Sequence, residues 1–125
     1  MPFISPEAAA RFELHGAIFT GLASPARGAT ENASWIVTLP GGGGPGVPHR
    51  LTREETLVCI EGRASAQLGD DSFELSPGSA LVIPPHVEFS IRNPHALPFR
   101  AVAVLPVGGQ ALIEGQPPFT PPWAL

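Results

Sequence analysis

The sequence predicts an all-β architecture, short antiparallel strands closed into one barrel or sandwich, on three observations. Apolar runs of strand length recur along most of the chain at even spacing, the pattern of a sandwich or closed barrel. The breaks between them hold glycine, proline, aspartate or asparagine, residues that supply a positive φ or preset a turn. The 14 glycines and 16 prolines are therefore punctuation and not a sign of disorder, because 43% of the 125 residues are hydrophobic and can fill a core. A chain of this length fits a single domain spanning 1–125.

Residues 7–14 suit either one short helical turn or an edge strand. Ile18–Leu22 and Trp35–Leu39 read as strands, since β-branched and aromatic side chains fit a pleated, half-buried surface. Ala23–Ser34 between them is small and polar and reads as loop. Pro40–Pro48 contains Gly41–Gly44 and Gly46, which turn sharply and cannot continue a strand. Seven further strands follow: His49–Leu51, Glu55–Ile60, Ala64–Leu68, Ser72–Leu75, Ala80–Ile83, Val87–Ile91 and Phe99–Leu105. Glu61-Gly62, Gly69-Asp70-Asp71 and Ser76-Pro77-Gly78 are turns between them. Gln116–Trp123, with four prolines, is expected to lack regular structure, and its Phe119 and Trp123 to lie on the barrel wall or against a partner. The barrel core is expected at about 35–106 with an arm on each side.

Several functions are set aside by charge and composition. The net charge is −4 with seven basic residues and no basic block, so the footprint that neutralises phosphates is missing and no nucleic-acid partner is expected. No apolar stretch approaches the ~18 residues of a membrane span. Glu7, Arg11 and Glu13 fall where a signal peptide needs an apolar core, so a cytoplasmic location is expected. The single cysteine, Cys59, rules out an intrachain disulfide and a thiolate metal cluster.

Two spaced motifs lie in residues 43–93. The first comprises Gly43, His49, Leu51, Glu55 and Gly62; the second, Gly78, Pro84, His86, Phe89 and Asn93. Together they resemble the paired motifs of the cupin superfamily, Gly-x5-His-x-His-x3-Glu-x6-Gly and Gly-x5-Pro-x-Gly-x2-His-x3-Asn. Every spacing is kept, while leucine stands for the second histidine, His86 for the second glycine and Phe89 for the last histidine. The resemblance implies a cupin-type antiparallel barrel, the double-stranded β-helix or jelly roll. It leaves the chemistry open, because one fold hosts many activities: cupins include dioxygenases, isomerases, epimerases, decarboxylases, polyketide cyclases, sugar-binding regulators and storage proteins. Small cupins commonly pair, and Phe3-Ile4 and Phe119–Trp123 need cover, so a homodimer is expected.

Family metal sites use three histidines and one glutamate. Only His49 and Glu55 carry over as ligands, and two protein donors hold a divalent ion poorly. His86, at the turn entering its strand, is the candidate third ligand if it swings inward. The expected cofactor is none, or one weakly held divalent transition metal on His49, Glu55 and His86. Strand alternation puts His49, Leu51, Glu55, Leu57 and Cys59 on the interior face. Leu51, Leu57, Cys59, Phe89, Ile91 and Trp35 are then the expected walls of a small-molecule pocket. Without metal, His49 and Glu55 form a histidine–carboxylate pair, with Glu55 in hydrogen-bond reach fixing the imidazole tautomer. That pair suits proton-transfer chemistry: isomerisation, epimerisation or cyclisation. The alternatives are a non-catalytic binding or sensor module and a metal-dependent oxygenase with a reduced ligand set.

Overall fold

The computed structural model describes residues 2–43 and 46–125. Gly44 and Pro45, part of the glycine-rich turn, lie outside the described residues. The strands are β1 Ala10–Leu14, β2 Ala17–Ala23, β3 Asn32–Leu39, β4 Arg50–Leu51, β5 Glu55–Glu61, β6 Ala64–Leu68, β7 Asp71–Leu75, β8 Ala80–Ile83, β9 Phe89–Arg92, β10 Phe99–Pro106 and β11 Ala111–Leu112. Every strand pairing is antiparallel, in a six-stranded sheet of order β1-β2-β3-β10-β5-β8, a three-stranded sheet β7-β6-β9 and a pair β11-β4. A bridge between His49 and Phe89 joins the pair to the three-stranded sheet. The result is a jelly-roll barrel, as the strand pattern predicts.

Three expectations need correction. Residues 7–14 hold both elements, a single 3-10 turn at Pro6–Ala8 and then β1. The loop between the first two expected strands is shorter, since β2 runs to Ala23 and β3 begins at Asn32; pairing with β10 extends β3 to Asn32 despite its polar sequence. The proline-rich segment is not wholly irregular, because Phe119 bridges Ala111 and Pro122–Ala124 forms a 3-10 turn. Proline at the first helical position is preset for that turn. Trp123 is 9% exposed and packs inside the barrel, so of the apolar residues thought to need cover, Phe3, at 85% exposure, stays on the surface.

The core follows strand alternation. In β10, Phe99, Ala101, Ala103 and Leu105 are buried in strict period two, and Ala103 sits between Trp35 of β3 and Leu57 of β5. The small side chain leaves room for its large neighbours, the interdigitation that fills a narrow barrel. At one end of the barrel Gly41 and Gly46 lie against the chain opposite. A side chain on Gly41 would collide with Ala96 O, and one on Gly46 with Ile91 O. Close backbone approach requires glycine at both positions.

Asn93 secures the same end. It is fully buried; its Nδ2 donates to Leu39 O at 3.0 Å and Leu97 O at 2.8 Å, and its Oδ1 accepts from the His95 N–H at 3.0 Å. One side chain thus ties the end of β3 to the 93–97 turn, as expected for an asparagine pinning a turn. Asn93→Ala would leave these backbone groups unpaired, and urea unfolding is expected to show a loss of about 2–4 kcal/mol at unchanged m value.

Candidate functional site

The barrel encloses a cavity of about 200 Å³, small beside drug-sized pockets. His49, Glu55, Leu51, Leu57, Phe89, Ile91 and Trp35 all border it. The motif register therefore brings together in space what it placed together in sequence. Cys59 does not border the cavity: alternation puts it on the interior face, but its thiol is packed in the core and donates to Gly62 O at 3.4 Å. Burial raises that thiol's pKa, opposite to what a reactive cysteine needs. Phe119 and Trp123, expected on the barrel wall or against a partner, also border the cavity, as do Phe19 and Val37, which sequence reading did not assign to the pocket. Period-two alternation in β2 is the signal for Phe19, whereas nothing local marks Trp123.

His49 is held from behind by its own loop. Its Nδ1 lies 2.9 Å from Val47 O, and a carbonyl can only accept, so Nδ1 carries the proton and the Nε2 lone pair is left free. The ring also packs on Phe89, centroids 4.3 Å apart. Burial lowers the His49 pKa, with the Val47 hydrogen bond opposing it. The imidazole is therefore neutral near pH 7 and presents a basic nitrogen.

Glu55 begins β5 and is 5% exposed. No hydrogen bond to its carboxyl is found among the described residues, and His49 is oriented by Val47 and not by Glu55. The expected histidine–carboxylate hydrogen bond is not found, and the imidazole tautomer is set by Val47 O instead. Desolvation without compensation raises the Glu55 pKa to about 8, so the carboxyl is protonated at neutral pH. Two groups that would each be charged in mildly acidic water stand uncharged in one apolar chamber, one an acceptor and the other a donor.

Of the remaining motif residues, Gly43 and Asn93 border the cavity and His86 does not. His86 is exposed, has φ 64°, and donates its backbone N–H to Leu51 O at 2.8 Å. That positive φ is why the family motif carries glycine there, and it turns the His86 side chain away from the cavity; the swing inward does not occur. Glu88 faces solvent and pairs with Arg50 at 3.5 Å. His15, which sequence reading assigned no role, lies at φ 51° in the β1–β2 turn and borders the cavity. His95 pairs through Nε2 with Glu74 at 2.8 Å on the surface.

A divalent metal does not fit this donor set. Leu51 and Phe89 bring hydrocarbon to two ligand positions, His86 points elsewhere, and no group of three or more His, Cys, Asp or Glu side chains able to hold an ion occurs among the described residues. Two protein donors fall short of a stable site.

Similar solved structures include the polyketide cyclase RemF from Streptomyces resistomycificus, with TM-score 0.80 and 17% identity over 94% of this chain and 87% of that one. A cupin-superfamily sugar phosphate isomerase from Silicibacter pomeroyi superposes with TM-score 0.74 at 15% identity, over 92% and 83%. KdgF from Halomonas sp. gives TM-score 0.69 at 18% identity, over 83% and 93%. At such identities the likeness is one of fold. No curated protein matches the sequence. The family model described as a cupin domain matches residues 35–105, from β3 through β10 and more than half of the chain. The chain belongs to the cupin family.

Proposed function

We propose that this protein binds a small, largely apolar metabolite in the barrel and moves protons on it without a metal, through His49 and Glu55. The observation that carries the reading is the pair of opposite displacements: burial lowers the pKa of His49 and raises that of Glu55 to about 8 in one cavity. Titratable groups whose environments push their pKa values apart are the mark of an acid and a base. A carbonyl compound fits both groups. The Nε2 lone pair takes a proton from the carbon beside the carbonyl, while the Glu55 O–H gives its proton to the carbonyl oxygen. The substrate becomes a neutral enol, His49 an imidazolium and Glu55 a carboxylate. Return of the His49 proton to another carbon, with an enol O–H proton going back to Glu55, isomerises the substrate; its return to the other face of the same carbon epimerises it; and attack of the enol on a second carbonyl, with His49 protonating the new alkoxide and the enol O–H proton returning to Glu55, cyclises it. Polyketide cyclase and sugar phosphate isomerase among the fold's neighbours support chemistry of this kind. A second reading, a binding module without turnover, draws on the loss of two metal-ligand positions at Leu51 and Phe89.

His49→Ala separates the two. A catalytic base contributes about 100-fold or more, so turnover of a carbonyl substrate is expected to fall at least that far while binding persists; unchanged turnover would count against the acid–base role. Elemental analysis of the purified wild type is expected to give well under one equivalent of transition metal, and stoichiometric metal lost in His49→Ala would overturn the metal-free reading.

Stability follows the sign of the Glu55 shift. A carboxyl whose folded pKa exceeds its unfolded one holds a proton in the folded state that the unfolded state has released, so stability falls as pH rises from about 4.5 toward 8. Glu55→Gln cannot release that proton. Urea midpoints of the variant are expected to gain on wild type steadily across this window, and parallel curves would contradict the shift. His49 acts in the other direction, losing stability as pH falls below the ordinary histidine value.

Pairing of two chains is retained as part of the proposal, with Phe3 of one arm and Val58, Ile60 and Val82 on the outer sheet face exposed. Light scattering at twice 13.0 kDa supports it; a monomer at high concentration contradicts it.

A further inference from the structure

One part of the cavity wall is not held to the barrel by its backbone. Strand pairing reaches its last point at the Ala111–Phe119 bridge, with hydrogen bonds of 2.8 and 3.2 Å. Beyond it, the backbone hydrogen bonds found are local: Ala124 N–H to Pro121 O and Leu125 N–H to Pro122 O. Among the described residues, none joins Thr120–Leu125 to a strand. The segment is held by side-chain packing, with Pro121, Trp123 and Ala124 buried and Trp123 the largest of them. Its indole lies flat on Phe19, ring centroids 3.7 Å apart and planes within 1°, with Phe12 and Trp35 tilted around it at 6.2 and 6.3 Å. A face-to-face sandwich is not the arrangement two aromatic rings prefer, and a buried tryptophan N–H usually finds an acceptor. Here Nε1 is completely enclosed and has no hydrogen-bond partner among the described residues. Trp123 borders the same cavity as His49 and Glu55.

Resting on the reading of that cavity as a small-molecule site, we propose that the face of Phe19 is a subsite for a planar, uncharged aromatic ring. Trp123 fills this subsite when no ligand is present and leaves it on the Thr120–Leu125 segment when a ligand ring enters. The exchange conserves apolar contact on Phe19 and returns an unmet N–H to water, where it is satisfied. The ring is uncharged because the side chains packed around this subsite, Phe12, Phe19 and Trp35, are aromatic and offer no counter-charge. The resident indole lowers apparent affinity by the fraction of molecules in which the subsite is open.

The test is a titration of the full-length, 15N-labelled protein with 2-naphthol, beside trans-2-decalol as its saturated analogue. In the free protein the Trp123 indole N–H is expected to be protected from exchange. As 2-naphthol saturates, it is expected to move to the position of a water-exposed indole and to exchange freely, while decalol leaves it in place. Trp123→Ala is expected to bind 2-naphthol about fivefold or more tightly than wild type. Binding of 2-naphthol with the Trp123 resonance unmoved, no gain in affinity in the variant, or no binding by either protein would each overturn the proposal. If Trp123→Ala does not fold, Trp123→Leu takes its place, and the wild-type titration decides without a variant. The acid–base reading is decided separately, by turnover and by pH-dependent stability, so failure of one leaves the other readable.

Discussion

A polar group carried into the interior of a narrow barrel has to find a partner there or give up its charge. That constraint organises this molecule. Asn93 satisfies it fully, spending both ends of its amide on backbone groups of the 93–97 turn and β3. His49 satisfies it at one nitrogen, through Val47 O. Glu55 does not satisfy it and holds a proton instead. Ranked this way, these three polar residues, Asn93 and Glu55 buried and His49 half-buried, pass from structural to chemical use. The more completely a group is bonded by the protein, the less it has to offer a ligand.

The apolar substitutions in the motifs deepen the same effect. Leucine at 51 and phenylalanine at 89 remove two donors from around Glu55 and His49 and put hydrocarbon in their place, both nearly fully buried. With histidines at those positions, Glu55 would have charged or hydrogen-bonding neighbours and an ordinary reason to ionise. With hydrocarbon, desolvation is the dominant influence on it. The loss of metal ligands and the protonation of the glutamate are therefore one change in the chamber's polarity.

Much of this was legible in the sequence where the interaction is local or periodic. Strand alternation put Leu51, Leu57, Phe89 and Glu55 on the inner face, and the intact motif spacing put β5 and β9 around one space. Alternation names a face but not a depth, which is why Cys59 faces inward and yet misses the cavity. The tautomer of His49 depends on where a loop carbonyl passes, and no pattern encodes that. His86 was open to misreading because a residue at positive φ directs its side chain unlike its neighbours. Trp123 was the least legible: it meets Phe19 from more than a hundred residues away, and the prolines around it signal only the absence of a strand.

The central claim, an uncharged acid beside an uncharged base, can be read directly from the Glu55 carboxyl. Infrared difference spectroscopy of wild type minus Glu55→Gln separates the carbonyl stretch of a protonated acid from the bands of a carboxylate. The account predicts a protonated-acid band at pH 7 that is lost as pH rises through about 8. Carboxylate bands at pH 7, with the acid form appearing only in strongly acidic solution, would contradict it.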